Sequence, residues 1–161
     1  MSNFNFNLDL PDGKRAEELA KKAYLQYFTN VGRAPTILES TKPSEFFDFA
    51  VMYWLCGEMH CEACEVKWDK LSNATGNVCF EIMGRGNRVS GCLLTKSDKI
   101  IHVINAGEMY HYLVSDLHRY LIMALALGRV KVVDAGDDKA STIILQDKES
   151  FIKNDFVHRL R

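Results

Sequence analysis

The stretch Cys64-Glu65-Val66-Lys67-Trp68-Asp69 has the composition of a β-strand that carries charges of both signs. Side chains two residues apart lie on the same face of a strand, so the carboxylate of Glu65 and the ammonium of Lys67 are predicted to lie side by side. Upstream, Asp48 interrupts the apolar run 46–52. An acid in such a run is costly to bury unless it is paired. We therefore expect Asp48 to have a polar or charged partner, and Glu65 and Lys67 are the first candidates.

The composition is that of a soluble globular protein, with 161 residues, 47% of them hydrophobic and 25% charged. This length predicts a single domain over residues 1–161. Residues 3–10 alternate between polar and apolar, which predicts an N-terminal arm or edge strand within residues 1–12, with a frayed terminus as the alternative. The net charge of −1 disfavours a protein held to nucleic acid by overall charge alone, although it is compatible with a small basic groove. The chain has neither an apolar run of ~18 residues nor a signal-peptide pattern, and a cytoplasmic location is expected.

The five cysteines predict free thiols in a reducing compartment, because their number is odd and the chain is not small. Cys56, His60, Cys61 and Cys64 lie within nine residues, a density that suggests zinc or an iron–sulfur cluster. A second Cys-x-x-Cys pair is missing, and these residues fall in and between predicted strands. Small hydrophobic side chains in a hairpin are the favoured interpretation. A metal or redox site that uses Cys61 and Cys64 is the alternative.

Periodicity and turn residues predict an alternation of helices and strands. The predicted helices cover residues 14–28 and 116–127, with a short third helix from Asp147, and the predicted strands are 45–55, 60–68, 77–83, 98–104, 109–114, 130–133 and 142–145. The order is therefore a helix, a three-stranded meander, further strands, a helix and a strand. This order predicts an α/β or α+β fold in which helices flank a central mixed sheet.

The turn between the first two strands of the meander decides whether the charged residues meet. With Gly57-Glu58 in the turn, Asp48 lies opposite Lys67 and diagonal to Glu65. With Cys56-Gly57 in the turn, Asp48 lies directly opposite Glu65. Every even-length loop puts the three side chains on one face, with Cβ atoms ~5–8 Å apart. An odd-length loop or a bulge would separate them.

Two carboxylates at that distance repel each other unless a cation lies between them. A hard divalent ion such as Mg²⁺ prefers oxygen ligands and keeps several waters. Lys67 beside such an ion can orient a metal-bound water or stabilise negative charge that develops on a phosphate. This chemistry suits hydrolysis of a phosphodiester. The alternative is an Asp48–Lys67 ion pair, with Glu65 solvated at a sheet edge.

Further acids lie on neighbouring elements. Glu81, in the third strand, joins the cluster if it shares the face of Glu65, and is otherwise a solvated edge residue. Glu17 and Glu18 begin the first helix, where acids also interact favourably with the helix dipole.

The order of Asp48 and then Glu65-Val66-Lys67 resembles the bipartite Asp…(Asp/Glu)-x-Lys signature of the PD-(D/E)XK nuclease superfamily. The following segment is similar to a phage and bacterial subgroup of Holliday-junction-resolvase-like enzymes, and the similarity rests on Thr75-Gly76-Asn77-Val78-Cys79-Phe80-Glu81, Arg85-Gly86, Ser90-Gly91, Thr95 and Asp98. Residues 110–121 and Gly136-Asp137 also resemble the tail of that subgroup. The resemblance covers roughly residues 13–155.

The resemblance implies a restriction-endonuclease-like core and a Mg²⁺- or Mn²⁺-dependent endonuclease, a hydrolase of DNA phosphodiester bonds. It implies action in DNA replication, repair or recombination, often on branched DNA and often as a homodimer, in the cytoplasm of a bacterial or phage-infected cell. Asp48 and Glu65 would be metal ligands and Lys67 the catalytic lysine, with Glu81 and Glu17 as additional acids. The chain departs from the pattern at Pro43, which lies five residues before Asp48 instead of directly before it, and at Ala16, where related resolvases carry Gly.

Basic residues near the site are expected to hold the DNA backbone, and the candidates are Lys70, Arg85, Arg88 and Lys96. The competing hypothesis is a catalytically inactive module that keeps the nuclease fold and binds DNA or a protein partner. The presence of all three of Asp48, Glu65 and Lys67 argues against it, because a decayed site usually loses one of them.

Overall fold

The computed structural model describes residues 6–39, 47–84, 86, 88–105, 107–135 and 140–160. The helices are α1 (Phe6–Asn30), α2 (Ser72–Thr75), α3 (Val114–Ala126) and α4 (Lys148–Ile152). The strands are β1 (Thr36–Glu39), β2 (Phe49–Leu55), β3 (Glu58–Trp68), β4 (Asn77–Gly84), β5 (Arg88–Val89), β6 (Lys99–Asn105), β7 (Glu108–Leu113), β8 (Lys131–Ala135), β9 (Ser141–Asp147) and β10 (His158–Leu160). A 3₁₀ turn covers Gly91–Leu93.

The strands form two sheets. Sheet A has six strands in the order β1-β2-β3-β6-β7-β10, and it is mixed because β3 and β6 run parallel while β2 and β3 run antiparallel. Sheet B has the order β5-β4-β9-β8 and is antiparallel. A mixed central sheet flanked by helices confirms the predicted α/β (α+β) class.

The strand predicted at 77–83 exists as β4, but its predicted place beside β3 is wrong. β4 pairs with β9 and β5 in sheet B. The free side of β3 is instead occupied by β6, and the backbone N–H of Asp69 extends this pairing with a 2.9 Å bond to the carbonyl of Val103. The meander of sheet A therefore consists of β1, β2 and β3, and β1 lies within the segment predicted as a connection.

The N-terminal strand prediction is also wrong for the residues that the structure describes. Residues 6–12 belong to α1, and residues 1–5 lie outside the described part of the chain. Phe6 and Leu10 are four residues apart, a spacing that fits a helix face as well as it fits strand alternation. The short alternating pattern was therefore not specific to a strand.

The two faces of sheet A pack against different layers. On the α1 face, helix α1 covers the central strands with a cluster that includes Ala20, Tyr24, Phe28, Phe49, Val51 and Ile101. On the opposite face, which we call the sheet-B face, β6 and β7 pack against sheet B and α3 with a cluster that includes Phe80, Ile100, Tyr112, Leu117 and Ile144. Glu65 pairs with Ile100 in the ladder, so its side chain is on the sheet-B face.

Candidate active site

The β2–β3 hairpin places Asp48 next to the Glu65–Val66 segment of β3. The turn residues Cys56-Gly57 both have positive φ, 52° and 85°, as a two-residue type I′ turn requires. Phe49 pairs with Cys64, which is the last pair of the ladder, and Asp48 comes immediately before β2. The backbone N–H of Asp48 donates a 2.9 Å bond to the carbonyl of Cys64, so Asp48 and Phe49 both lie against Cys64. The hairpin has the second of the two predicted registers.

The carboxylate of Asp48 is half-buried and accepts a hydrogen bond of 2.6 Å from the backbone N–H of Val66. Burial raises the pKa of Asp48 to about 6; the Val66 N–H and Lys67 oppose this rise, and the charges of Glu65 and Glu17 add to it. Repulsion from nearby carboxylates disfavours the ionised form of Asp48, and a bound cation would offset this repulsion. A pKa near 6 also leaves Asp48 mostly ionised at neutral pH, and this is the form that binds a metal.

Lys67 forms an ion pair with Glu65 and not with Asp48. Its Nζ contacts Oε1 of Glu65, and the side chains of Lys67 and Glu65 are 42% and 17% exposed. The Asp48–Lys67 ion pair considered from the sequence is therefore absent, although Lys67 lies near enough to lower the pKa of Asp48. The lysine can reach solvent and a substrate, and the glutamate is largely shielded.

Helix α1 brings Glu17 within electrostatic range of Asp48. Lys21, one turn further along α1, lies 6.0 Å from the ring of Phe49, the residue after Asp48. Burial raises the pKa of Glu17, with Lys21 lowering it. Glu17 in turn raises the pKa of Asp48. Glu18 is exposed and pairs with Lys21, so Glu17 is the helix acid that interacts with the site.

Glu81 lies in sheet B, where its carboxylate accepts hydrogen bonds from Ser90 at 2.5 Å and Ser141 at 3.3 Å. These bonds are separate from the Asp48–Glu65 pair. The two regions are linked through the buried thiol of Cys92, which donates to the Glu81 carbonyl at 3.2 Å. Burial raises the pKa of Cys92 to about 11, Lys67 lowers it and Glu81 raises it. Glu81 therefore flanks Cys92 in the neighbouring layer.

Three of the four candidate DNA-binding residues are exposed in the structure, namely Lys70, Arg88 and Lys96. Lys70 lies just beyond β3, with its Nζ 4.8 Å from the ring of Trp68. Arg88 begins β5, and Lys96 precedes β6. Arg85 lies outside the described residues.

The cysteine alternative is not supported by the placement of the thiols. Cys61 is exposed and Cys64 is buried, because residues three apart on a strand point to opposite faces. Across the described ranges, no group of three or more His, Cys, Asp and Glu side chains is arranged to hold a metal ion. The Asp48–Glu65 pair supplies two carboxylates, the donor type that suits Mg²⁺ or Mn²⁺ with water completing the shell.

A polar pair next to Lys67 was missed from the sequence. His102, the β6 neighbour of Lys67, is 2% exposed and lies 3.5 Å from the carboxylate of Asp69. The same carboxylate accepts the backbone N–H of Cys79 at 2.8 Å, and the other His102 nitrogen lies 3.0 Å from the Tyr112 hydroxyl. The only feature of the sequence that could have indicated this pair is the position of Asp69 two residues after Lys67, on the same face of the strand.

No family model, curated protein or solved structure matches the chain. Among the described residues, every helix is too short or too polar to cross a membrane. The geometry of the Asp48–Glu65–Lys67 site therefore carries the functional interpretation.

Proposed function

We propose that the protein is a metal-dependent deoxyribonuclease that hydrolyses phosphodiester bonds of DNA. The observation that carries this proposal is the group of charges at the end of the β2–β3 ladder, where the Asp48 carboxylate accepts the Val66 N–H and the neighbouring residues Glu65 and Lys67 form an ion pair. Two neighbouring carboxylates with an adjacent, partly exposed ammonium form the set of groups that metal-assisted phosphodiester hydrolysis needs. The influence of Glu17 on Asp48 adds a third acid within electrostatic range.

Asp48 and Glu65 are the residues that would hold Mg²⁺ or Mn²⁺. When bound, the ion supplies Lewis-acid stabilisation of the phosphate and an activated water. The Val66 N–H holds the Asp48 carboxylate in place. With Glu65 holding the ion, Lys67 would donate hydrogen bonds to the oxygen on which negative charge develops. The ion pair in the structure thus keeps both groups ready on one face.

The wider role extends the same proposal. The resemblance favours action in DNA replication, repair or recombination, including on branched DNA, by a homodimer in the cytoplasm of a bacterial or phage-infected cell. Lys70, Arg85, Arg88 and Lys96 would hold the DNA backbone as point charges around the site.

The test is a cleavage panel of linear duplex, single-stranded, flapped and four-way-junction DNA, with Mg²⁺ or Mn²⁺ and with EDTA. Lys67→Ala should lower the cleavage rate by about 10²–10³-fold, because it removes a charge-stabilising group at the transition state. Lys131→Ala, an exposed lysine on β8, is the matched control and should cleave like the wild type. Full cleavage by Lys67→Ala, or cleavage that persists in EDTA, would refute the proposal.

A non-cleaving DNA-binding module is the second candidate, and the Glu65–Lys67 ion pair is the observation that favours it, because it occupies one of the two carboxylates. This candidate predicts a gel shift with DNA and no cleavage of any substrate in Mn²⁺.

A further inference from the structure

The sheet-B face of sheet A is covered at β6 and β7 but carries strongly exposed apolar side chains at the tip of the β2–β3 hairpin. Trp54 and Met59 form a cross-strand pair there, and they are 66% and 62% exposed. Met59 is an even number of residues from Glu65 in β3, so Met59, its partner Trp54 and Glu65 share one face of the sheet. A tryptophan that is two-thirds exposed leaves a large aromatic surface in water, and such surfaces often mark binding sites.

An uncharged stripe connects this pair to the candidate active site. Between the tip and the site, the cross-strand pairs on this face are Met52 with Cys61 and Ala50 with Ala63. The first charged side chain along the stripe in β3 is Glu65. Met59 lies six residues along β3 from Glu65, a separation of roughly 20 Å at about 3.4 Å per residue.

The side chains of the stripe are suited to contact the bases of DNA and not its phosphates. Phosphate contacts need cations or N–H donors, and the side chains of the stripe supply no charge. A planar base can stack on an indole, and such stacking is worth about 1–3 kcal/mol per base without requiring a particular sequence. Inside a duplex the faces of the bases are covered by their stacked neighbours, whereas unpaired nucleotides expose them. The stripe therefore fits the single-stranded part of a DNA substrate.

The exposed area is too small for a stable protein partner. Among the described residues, the strongly exposed apolar side chains of this face are Trp54, Met59 and Leu38, which is 43% exposed and pairs with Ala50. Together they offer on the order of a few hundred Å². Specific protein interfaces bury about 1,200–2,000 Å² in total. One or two stacked bases match the available surface better than a second copy of the chain does.

We propose that Trp54, flanked by Met59, stacks an unpaired base of the DNA substrate, so that the enzyme acts on DNA with unpaired nucleotides roughly 20 Å from the cleaved bond. This inference rests on the proposed function for its substrate and adds to it a binding residue and a substrate class.

The first test uses tryptophan fluorescence, since the chain has two tryptophans, Trp54 and the partly buried Trp68. In a Trp68→Phe background Trp54 is the sole tryptophan, and excitation at wavelengths that tyrosine does not absorb selects its emission. Single-stranded oligothymidine added in EDTA, where no cleavage occurs, should quench this emission. A duplex closed by a hairpin loop of abasic linker at both ends, which exposes no base face, should leave it unchanged. Absence of quenching at saturating oligothymidine would overturn the stacking proposal.

The second test measures affinity in the same buffer. Trp54→Ala should weaken oligothymidine binding by about 5- to 150-fold, the equivalent of one lost stacking contact, and Trp54→Phe should weaken it much less. Ile122→Ala is the matched control, because Ile122 on α3 is 67% exposed and distant in sequence from the hairpin. Duplex affinity should be the same for all three variants.

The outcomes separate the two proposals. If the wild type cleaves no DNA with Mg²⁺ or Mn²⁺ but Trp54 is quenched, the nuclease assignment fails and the stacking site stands. If the wild type cleaves DNA and Trp54→Ala binds oligothymidine with unchanged affinity, the stacking site is overturned. Sedimentation in which Trp54→Ala converts a dimer into a monomer would overturn it as well, by showing that this face joins two copies.

Discussion

Replacing Asp48 with Asn should stabilise the fold at neutral pH while abolishing cleavage. Burial raises the pKa of Asp48 from its ordinary 3.8 to about 6, and one pKa unit corresponds to about 1.4 kcal/mol. The full shift would give about 3 kcal/mol, and partial exposure of the carboxylate reduces the expected gain to about 1–2 kcal/mol. The Asn carbonyl oxygen can still accept the Val66 N–H, so the backbone contact survives.

The pH dependence follows from the sign of the shift. A carboxyl whose pKa is raised in the folded state is protonated more readily there than in the unfolded chain. Its contribution to stability is intact below pH 3.8 and is lost as the pH rises through about 6. The advantage of Asp48→Asn over the wild type should therefore be absent near pH 3.8, grow across this interval and be complete above pH 6.

Urea unfolding followed by circular dichroism in EDTA, at pH values on both sides of this interval, measures the difference directly. Asp155→Asn, at an exposed position, is the control and should change the free energy of unfolding by less than about 0.5 kcal/mol. Mg²⁺ should then stabilise the wild type and not Asp48→Asn, by about 2.7 kcal/mol at a concentration one hundred times its dissociation constant. If Asp48→Asn were no more stable than the wild type at pH 8, the conclusion that the ionised Asp48 carboxylate destabilises the fold would be refuted.

Three further substitutions test the fold around the site by urea unfolding. Gly91→Ala should destabilise the fold by about 2–4 kcal/mol, because a Cβ there would lie 2.4 Å from the Glu81 carbonyl oxygen. Gly128→Ala is the control, since Gly128 has positive φ but open space around it, and it should cost only about 1–2 kcal/mol. Equal losses in the two variants would contradict the clash at Gly91. Cys56→Asn should stabilise by roughly 0.5–1 kcal/mol, because Asn tolerates the positive φ of a type I′ turn better than Cys; a loss of stability would contradict this. His111 is buried, both ring nitrogens lack hydrogen-bond partners among the described residues, and burial lowers its pKa from 6.5 to about 4. The wild type should therefore lose up to about 3 kcal/mol relative to His111→Phe as the pH falls from 6.5 to 4, a comparison in which the opposite contribution of Asp48 cancels, whereas parallel pH profiles would exclude this histidine as the cause.

The hairpin that forms the site could be predicted because its signals are local. Alternation within 60–68 fixes which side chains share a face, and an even-length turn preserves that parity. The choice between the two registers was not available from composition, because Gly57 is acceptable in either turn. The observed register requires the backbone of Cys56 to adopt a left-handed conformation, which non-glycine residues rarely take.

The partners of β4 could not be predicted, because strand pairing between distant segments leaves no local pattern. The residues of β4 read as a strand in either sheet, and only the parallel docking of β6 on β3 excludes β4 from sheet A. The approach of Glu17 to Asp48 could not be predicted from local sequence either, since it depends on how α1 lies across the sheet. β1 was missed because four residues are too few for alternation to stand out.

Asp69 ties the layers of the molecule together within two residues of Lys67. Its backbone N–H bonds to the Val103 carbonyl within sheet A, and its carboxylate accepts the backbone N–H of Cys79 in sheet B. Separating the two sheets at this point would break the bond between Asp69 and Cys79 and leave the bond to Val103 intact. The amide of Cys79 should consequently report opening between the sheets, and the amide of Asp69 should report opening within sheet A. A slower exchange at Asp69 than at Cys79 would mean that Lys67, two residues away, stays fixed to sheet A when the sheets separate.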